Sequence, residues 1–264
     1  MRGHAAGALW DCDDARNGVG VSSSFPAVGP DTPGHPEPGA EGLPPWLHRL
    51  VDALPRVRSE QISQFVPPPN GSGRPSAVLI LFGEGPSGPD VLLLQRAATL
   101  RKHAGQPAFP GGATDPGDDG PVGTALREAN EEVGLDPASV RVIGELPPVL
   151  VPISGFIVTG VLGWWERPHS VGPVDAGEVA AVARVPLADL VNPDNRFRVR
   201  HPRGVVGPGF DVCDMFVWGF TAGLVSFVLD LGGWSRPWNR DNVRDLPAED
   251  LALAQQTRPP DAVR

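Results

Sequence analysis

Apolar residues along this 264-residue chain change their spacing from segment to segment, and the changes mark out its elements. From Pro44 to Leu54, "PPWLHRLVDAL" repeats Trp46, Leu47, Leu50, Val51 and Leu54 at helical intervals, which predicts an amphipathic helix. Two short, nearly continuous apolar runs follow, "SAVLILFG" (76–83) and "DVLLLQR" (90–96), joined by the turn-rich "EGPSGP". They read as buried strands. A Gly/Pro/Asp loop from Gly105 to Gly120 leads into a second helical pattern, in which Val122, Leu126, Ala129 and Val133 share one face. Asp118 and Asp119 precede that helix, where the dipole favours negative charge; Pro121 suits its first turn and Gly134 a left-handed C-terminal cap. Further strands are predicted at "VRVIGEL", "GFIVTGVLGWW", "EVAAVARVPL" and "FDVCDMFVW", and another long helix at "GFTAGLVSFVLDL". Strands and helices mix without a regular βαβ repeat. That favours an α/β sandwich built on a mixed sheet.

Composition changes the picture mainly at the ends. Residues 1–43, with stretches such as "PAVGPDTPGHPEPGAEG", show no apolar periodicity and are expected to be a disordered extension. Residues 44–238 form the predicted folded domain, and residues 239–264 are expected to be a flexible tail. The longest apolar run, Met215 to Leu229, is shorter than the roughly 20 residues a membrane-spanning helix needs, so it reads as core. A net charge of −9 argues against a nucleic-acid partner. Cys12 and Cys213 lie far apart with no CxxC pairing, which points to neither a disulfide framework nor a thiolate metal site. That suits a reducing cytosol, and with no signal-peptide pattern the expected location is cytoplasmic.

The second helix poses a chemical question. Glu128, Glu131 and Glu132 fall within five positions, next to Arg127. Like charges at i and i+4, as Glu128 and Glu132 are, cost a helix roughly 0.2–0.5 kcal/mol. Either this is a solvated face with Arg127 in a salt bridge, or the carboxylates share a cation. Mg²⁺ or Mn²⁺ would suit such hard oxygen donors.

The context of the helix resembles the Nudix hydrolases, whose signature ends in Arg-Glu-apolar-x-Glu-Glu-x-Gly-apolar. Arg127, Glu128, Ala129, Glu131, Glu132, Gly134 and Leu135 match it position for position. The first half departs from the pattern. There an acidic residue usually stands eight before the arginine and a glycine six before that. Counting back from Arg127 reaches Asp119 and then Ala113, with Gly112 one residue further upstream, so the loop is one residue longer and Asp118 or Asp119 replaces the usual glutamate. The resemblance implies a Nudix-type α/β/α sandwich with a mixed sheet, and a metal-dependent enzyme using Mg²⁺ or Mn²⁺. Glu128, Glu131 and Glu132 would be the catalytic metal-holding residues, with Arg127 orienting one of them.

Upstream, Leu92, Leu93, Leu94, Gln95, Arg96, Ala97, Arg101, Gly105, Phe109, Pro110, Gly111 and Gly112 fall in the register of the signature carried by family members acting on coenzyme A. Leu94 and Ala97 replace its threonine and serine. This implies hydrolysis of the diphosphate of coenzyme A or a derivative, giving 3′,5′-ADP and (acyl-)phosphopantetheine, with Arg96, Arg101, Gly111 and Gly112 on the substrate. The alternatives are another nucleoside diphosphate derivative, such as ADP-ribose or a nucleoside triphosphate, or a non-catalytic nucleotide sensor. Glu178, before an apolar strand, is either an ordinary loop acid or a further metal ligand or base. The expected partner is a small diphosphate molecule, with no nucleic acid or membrane; a homodimer is admitted. His103 receives no role.

Overall fold

The computed structural model describes residues 8–10, 12, 41–100 and 103–255. Strand β1 (Ala8–Trp10) is followed by helix α1 (Pro45–Ala53) and the single-turn α2 (Ser59–Ile62). The two apolar runs form β2 (Arg74–Gly85) and β3 (Gly88–Arg96), an antiparallel pair turning at Gly85 and Gly88. The loop beyond them is not wholly irregular: β4 (Pro107–Ala108) pairs with β3 and β5 (Gly111–Ala113) with β2. Helix α3 (Gly120–Val133) comes next, closed by Gly134 at φ 71° as its C-cap. Then follow β6 (Val140–Glu145), β7 (Val149–Val151), β8 (Phe156–Trp165), β9 (Val179–Pro186) and the short α4 (Leu187–Leu190).

The principal sheet runs β1-β9-β3-β2-β8-β6, with β2 parallel to β8 and β3 antiparallel to both β2 and β9. It is mixed, as expected. Because side chains alternate along a strand, "LILF" in β2 serves two cores. Leu79 and Leu81 face α3, meeting Ala125, Ala129, Val133 and Trp165. Ile80 and Phe82 face the opposite way, meeting Leu47 and Leu50 of α1 and Val225 and Val228 of the later helix α5 (Gly219–Leu231). These two helical layers make the α/β/α sandwich. Each fully buried Leu or Val contributes about 1.5–3 kcal/mol of transfer free energy. On α3 the buried positions are Thr124, Ala125, Ala129, Glu132 and Val133, while Val122 and Leu126 are only partly covered. Small alanines bring the helix backbone close to the sheet.

A second sheet, ordered β12-β11-β10-β13, combines β10 (Arg196–Arg200), β11 (Val206–Val212), β12 (Met215–Val217) and β13 (Val243–Asp245). The run "FDVCDMFVW" is therefore a hairpin, not one strand. Its two-residue turn, Cys213 and Asp214, has φ of 50° and 58°. Two positive φ values are what a tight hairpin turn compatible with strand twist requires.

Much of both ends, residues 1–7, 11, 13–40 and 256–264, lies outside the described residues, and the residues that are described there make further contacts. Within residues 1–43, Ala8–Trp10 pairs in parallel with Ala181–Ala183 at the sheet edge, and Leu43 is buried. Within 239–264, β13 pairs with β10, Leu246 is buried, and α6 (Ala248–Gln255) follows. Leu246 packs with Phe197 and Val199, burying apolar area that its polar neighbours conceal in the sequence. The cysteines, read as unpaired, are joined as a Cys12–Cys213 disulfide across 201 residues, since the fold brings β1 beside the hairpin turn. No helix among the described residues is long and apolar enough to cross a membrane.

Candidate active site

The expected site residues that the structure describes gather at the end of the principal sheet where β2 begins and β3 finishes. There β5 crosses β2, pairing Gly112 with Ala77 and Gly111 with Val78, and α3 packs over both. The close crossing explains both glycines. A Cβ on Gly111 would lie 2.3 Å from the Ala77 carbonyl oxygen, and one on Gly112 would lie 2.4 Å from Glu128 Oε1.

Glu132 points inward from α3 and is 7% exposed. Its carboxylate accepts from the Gly111 N–H at 2.9 Å and pairs with Arg96 Nη1 at 3.3 Å. Burial pushes its pKa up to about 7; the Gly111 and Arg96 contacts act against that, while Glu128 and Glu178 add to it. Glu128 is partly buried, and desolvation also raises its pKa despite Arg127. Glu131 is largely exposed. All three glutamates thus come to one mouth, each against a guanidinium.

Arg127 organises two of them. Its Nη1 lies 3.0 Å from both Glu128 Oε1 and Glu131 Oε2. Its Nε and Nη2 donate to Asp118 at 2.8 and 3.0 Å, and Nη2 also donates to the Ala113 carbonyl at 3.0 Å. The five N–H groups of the guanidinium therefore face five oxygen contacts. Asp118, held by Arg127 first and by the Asp115 N–H second, has a pKa far below the usual carboxylate range. Asp119 occupies the helix N-cap and makes no side-chain cap bond.

This settles which acid partners the arginine. Asp118 follows Gly112 by six residues, the usual interval, so the extra residue lies between Asp118 and Arg127. There Gly120, at φ 65°, opens the helix. A count made backward from Arg127 alone cannot show this. The interval forward from Gly112 could have.

Other expected residues are placed less directly. Gly111 and Gly112, expected on the substrate, are engaged with Glu132 and Glu128. Arg96 ends β3 with its Nη1 on Glu132 and its buried Nε without a hydrogen-bond partner. Arg101 lies outside the described residues. Glu178 is exposed at the start of β9, its carbonyl accepting from the Ala97 N–H at 2.8 Å, so it borders the same mouth. His103 bonds Gln106 within its own loop. Sequence reasoning missed Thr114 and Thr124, whose hydroxyls meet 3.0 Å apart beside Asp118. Nothing in the spacing signals them.

Among the described residues, no group of three or more His, Cys, Asp or Glu side chains stands arranged to hold a metal ion. Arg127 separates Glu128 from Glu131, and Arg96 occupies Glu132. The donor set nonetheless suits one: Glu128, Glu131 and Glu132 supply hard carboxylate oxygens from neighbouring positions of one helix, the donors a divalent cation such as Mg²⁺ prefers.

Comparison with known proteins accords with this geometry. The NUDIX domain model matches residues 73–204. The Cronobacter sakazakii protein "Uncharacterized Nudix hydrolase NudL" is 44% identical over 192 residues, covering 70% of this chain and 94% of its own length. The protein of the same name from Escherichia coli O7:K1 is 42% identical over 190 residues, covering 69% and 91%. Among solved structures, a Nudix hydrolase from M. smegmatis, RenU, aligns at TM-score 0.42 and 20% identity, covering 67% of this chain and 99% of that one. With the domain model spanning half the sequence and relatives matched over nearly their full length, the chain belongs to the Nudix hydrolase family and is a pyrophosphohydrolase.

Proposed function

We propose that this Nudix hydrolase cleaves the diphosphate linkage of coenzyme A or its derivatives, releasing 3′,5′-ADP and (acyl-)phosphopantetheine. The observation that carries the reading is the juxtaposition of the upstream signature with the carboxylate helix. Arg96 touches Glu132, and Gly111 and Gly112, which end that signature, lie against Glu132 and Glu128. On this reading, the residues that would select the substrate border those that would do the chemistry.

Glu128, Glu131 and Glu132 would hold Mg²⁺ or Mn²⁺, with Glu178 at the rim as an added ligand or base. Such a cation, when bound, neutralises diphosphate charge and acidifies a water. The protein's own part is positional. Arg127 fixes Glu128 and Glu131, and the Gly111 N–H fixes Glu132. Arg96, with an unfilled Nε, can turn its planar fork to a phosphate; Arg101 is assigned the same task from its place in the signature. Water attacks one phosphorus and the other phosphoryl group departs.

A substrate panel with Mg²⁺ and Mn²⁺ tests the reading. Coenzyme A species should turn over fastest, with 3′,5′-ADP as a product. Faster hydrolysis of ADP-ribose or of deoxynucleoside triphosphates would move the activity to those substrates. Failure to turn over any of them would leave a sensor.

A further inference from the structure

We propose that Thr124 is a positioning residue that sets Glu128 and Glu131 through Asp118 and Arg127. Thr124 is fully buried in the first half of α3, and its Oγ1 lies 2.9 Å from Asp118 Oδ2, 3.1 Å from the Gly120 carbonyl and 3.0 Å from Thr114 Oγ1. The carboxylate and the carbonyl can only accept. With a single proton, the Thr124 hydroxyl donates to the nearer, charged acceptor, Asp118 Oδ2, and takes its own hydrogen bond from Thr114, whose backbone N–H is anchored on the Pro75 carbonyl of β2 at 3.0 Å. A continuous path thus runs from the sheet through two hydroxyls to Asp118. It continues from Asp118 through both edges of the Arg127 guanidinium to Glu128 and Glu131.

The chain's departures from the usual spacing explain why such a path is needed. Aspartate is one methylene shorter than glutamate, and the segment joining it to Arg127 is one residue longer. Left to itself, that loop would hold the carboxylate loosely. The hydroxyl of Thr124 and the Asp115 N–H clamp Oδ2 from two sides, while Arg127 takes Oδ1 and shares Oδ2. Glu132 lies outside this path, since Gly111 and Arg96 hold it. Loss of the Thr124 hydroxyl should therefore disturb two glutamates and spare the third.

The proposal rests on reading the α3 carboxylates as the catalytic centre, and its test includes a readout that needs no substrate. Mn²⁺ binding to the full chain, followed by calorimetry, is compared for wild type, Thr124→Val, Thr124→Ser and Thr114→Val, alongside kcat and thermal unfolding. Removing an outer partner of a metal site costs about 10–100-fold in affinity or activity. Thr124→Val should thus weaken Mn²⁺ binding and kcat by about tenfold or more, Thr114→Val by a smaller factor, and Thr124→Ser should remain within about threefold of wild type. Unchanged Mn²⁺ affinity in a folded Thr124→Val protein, or equal losses in the valine and serine variants, would overturn it. Should Thr124→Val not fold, the partly exposed Thr114 decides: unchanged affinity and kcat in Thr114→Val overturn the proposal. Wild-type protein that binds Mn²⁺ tightly yet leaves coenzyme A intact refutes the substrate assignment alone.

Discussion

At the scale of single residues, burial decides how each acid behaves. Glu132 and Asp118 lie a few ångströms from arginines, yet their pKa values move in opposite directions. Burial dominates the first, while hydrogen bonds dominate the second. Glu132→Gln should preserve the Gly111 contact and the packing while removing the charge. Turnover should fall at least about 100-fold, beyond what losing a residue that only orients a metal ligand costs, with no drop in melting temperature. Retained turnover in that variant would remove Glu132 from the mechanism. Asp90, distant from the glutamate cluster in sequence, offers a pH prediction. It is buried against Arg184 at 2.7 Å, and desolvation raises its pKa to about 6. A carboxyl more easily protonated when folded lends stability below its unfolded pKa, and that stability is lost as pH rises through about 6. The stability of wild type relative to Asp90→Asn should therefore fall by up to about 3 kcal/mol between pH 4 and 7. Urea titrations at several pH values would read it, and a flat difference would contradict the burial argument. The glutamate cluster could be singled out from the sequence because its motif is contiguous. The choice between Asp118 and Asp119 was open when counted back from Arg127, because the extra residue falls between Asp118 and Arg127; only the forward interval from Gly112 carries it.

At the scale of elements, the legible parts were those whose burial repeats. Alternation in "LILF" and the helical period of Leu47, Leu50 and Leu54 come from faces packed on a continuous core. Strands β4 and β5 left no such mark. They are two and three residues long, made of Pro, Ala and Gly, and owe their pairing to strands already formed. Their glycines separate two roles that the sequence merges. Gly111→Ala drives a Cβ into the backbone of β2, so expression and melting temperature should suffer. Gly112→Ala meets first the movable end of Glu128, so the fold should survive while kcat falls. Circular dichroism and assay of the two proteins would separate these effects. A Gly112→Ala enzyme with full activity would show that the placement of Glu128 against the loop is unimportant.

At the scale of the whole molecule, the sequence concealed contacts between distant segments. The edge strand β1, the return of β13 onto β10 and the Cys12–Cys213 bond all join stretches whose own composition looks unstructured. No local period encodes them, because their partners lie more than 40 residues away. A cross-link enclosing so long a segment restricts the unfolded chain, typically stabilising by about 2–4 kcal/mol. Reduction should accordingly lower the urea midpoint of wild type and leave a Cys12→Ser/Cys213→Ser protein unmoved. An identical midpoint before and after reduction would deny the bond a stabilising role.

The same corner of the molecule has a consequence for anyone trimming the gene. A shortened form starting near Leu43, the cut that composition invites, would strip β1 from β9 and leave Cys213 as a bare thiol at a hairpin tip. An uncovered strand edge invites pairing with another molecule. Two shortened chains thus gain both a backbone ladder and a sulfur with which to find each other, and a dimer seen only in the trimmed form would be a product of the cut.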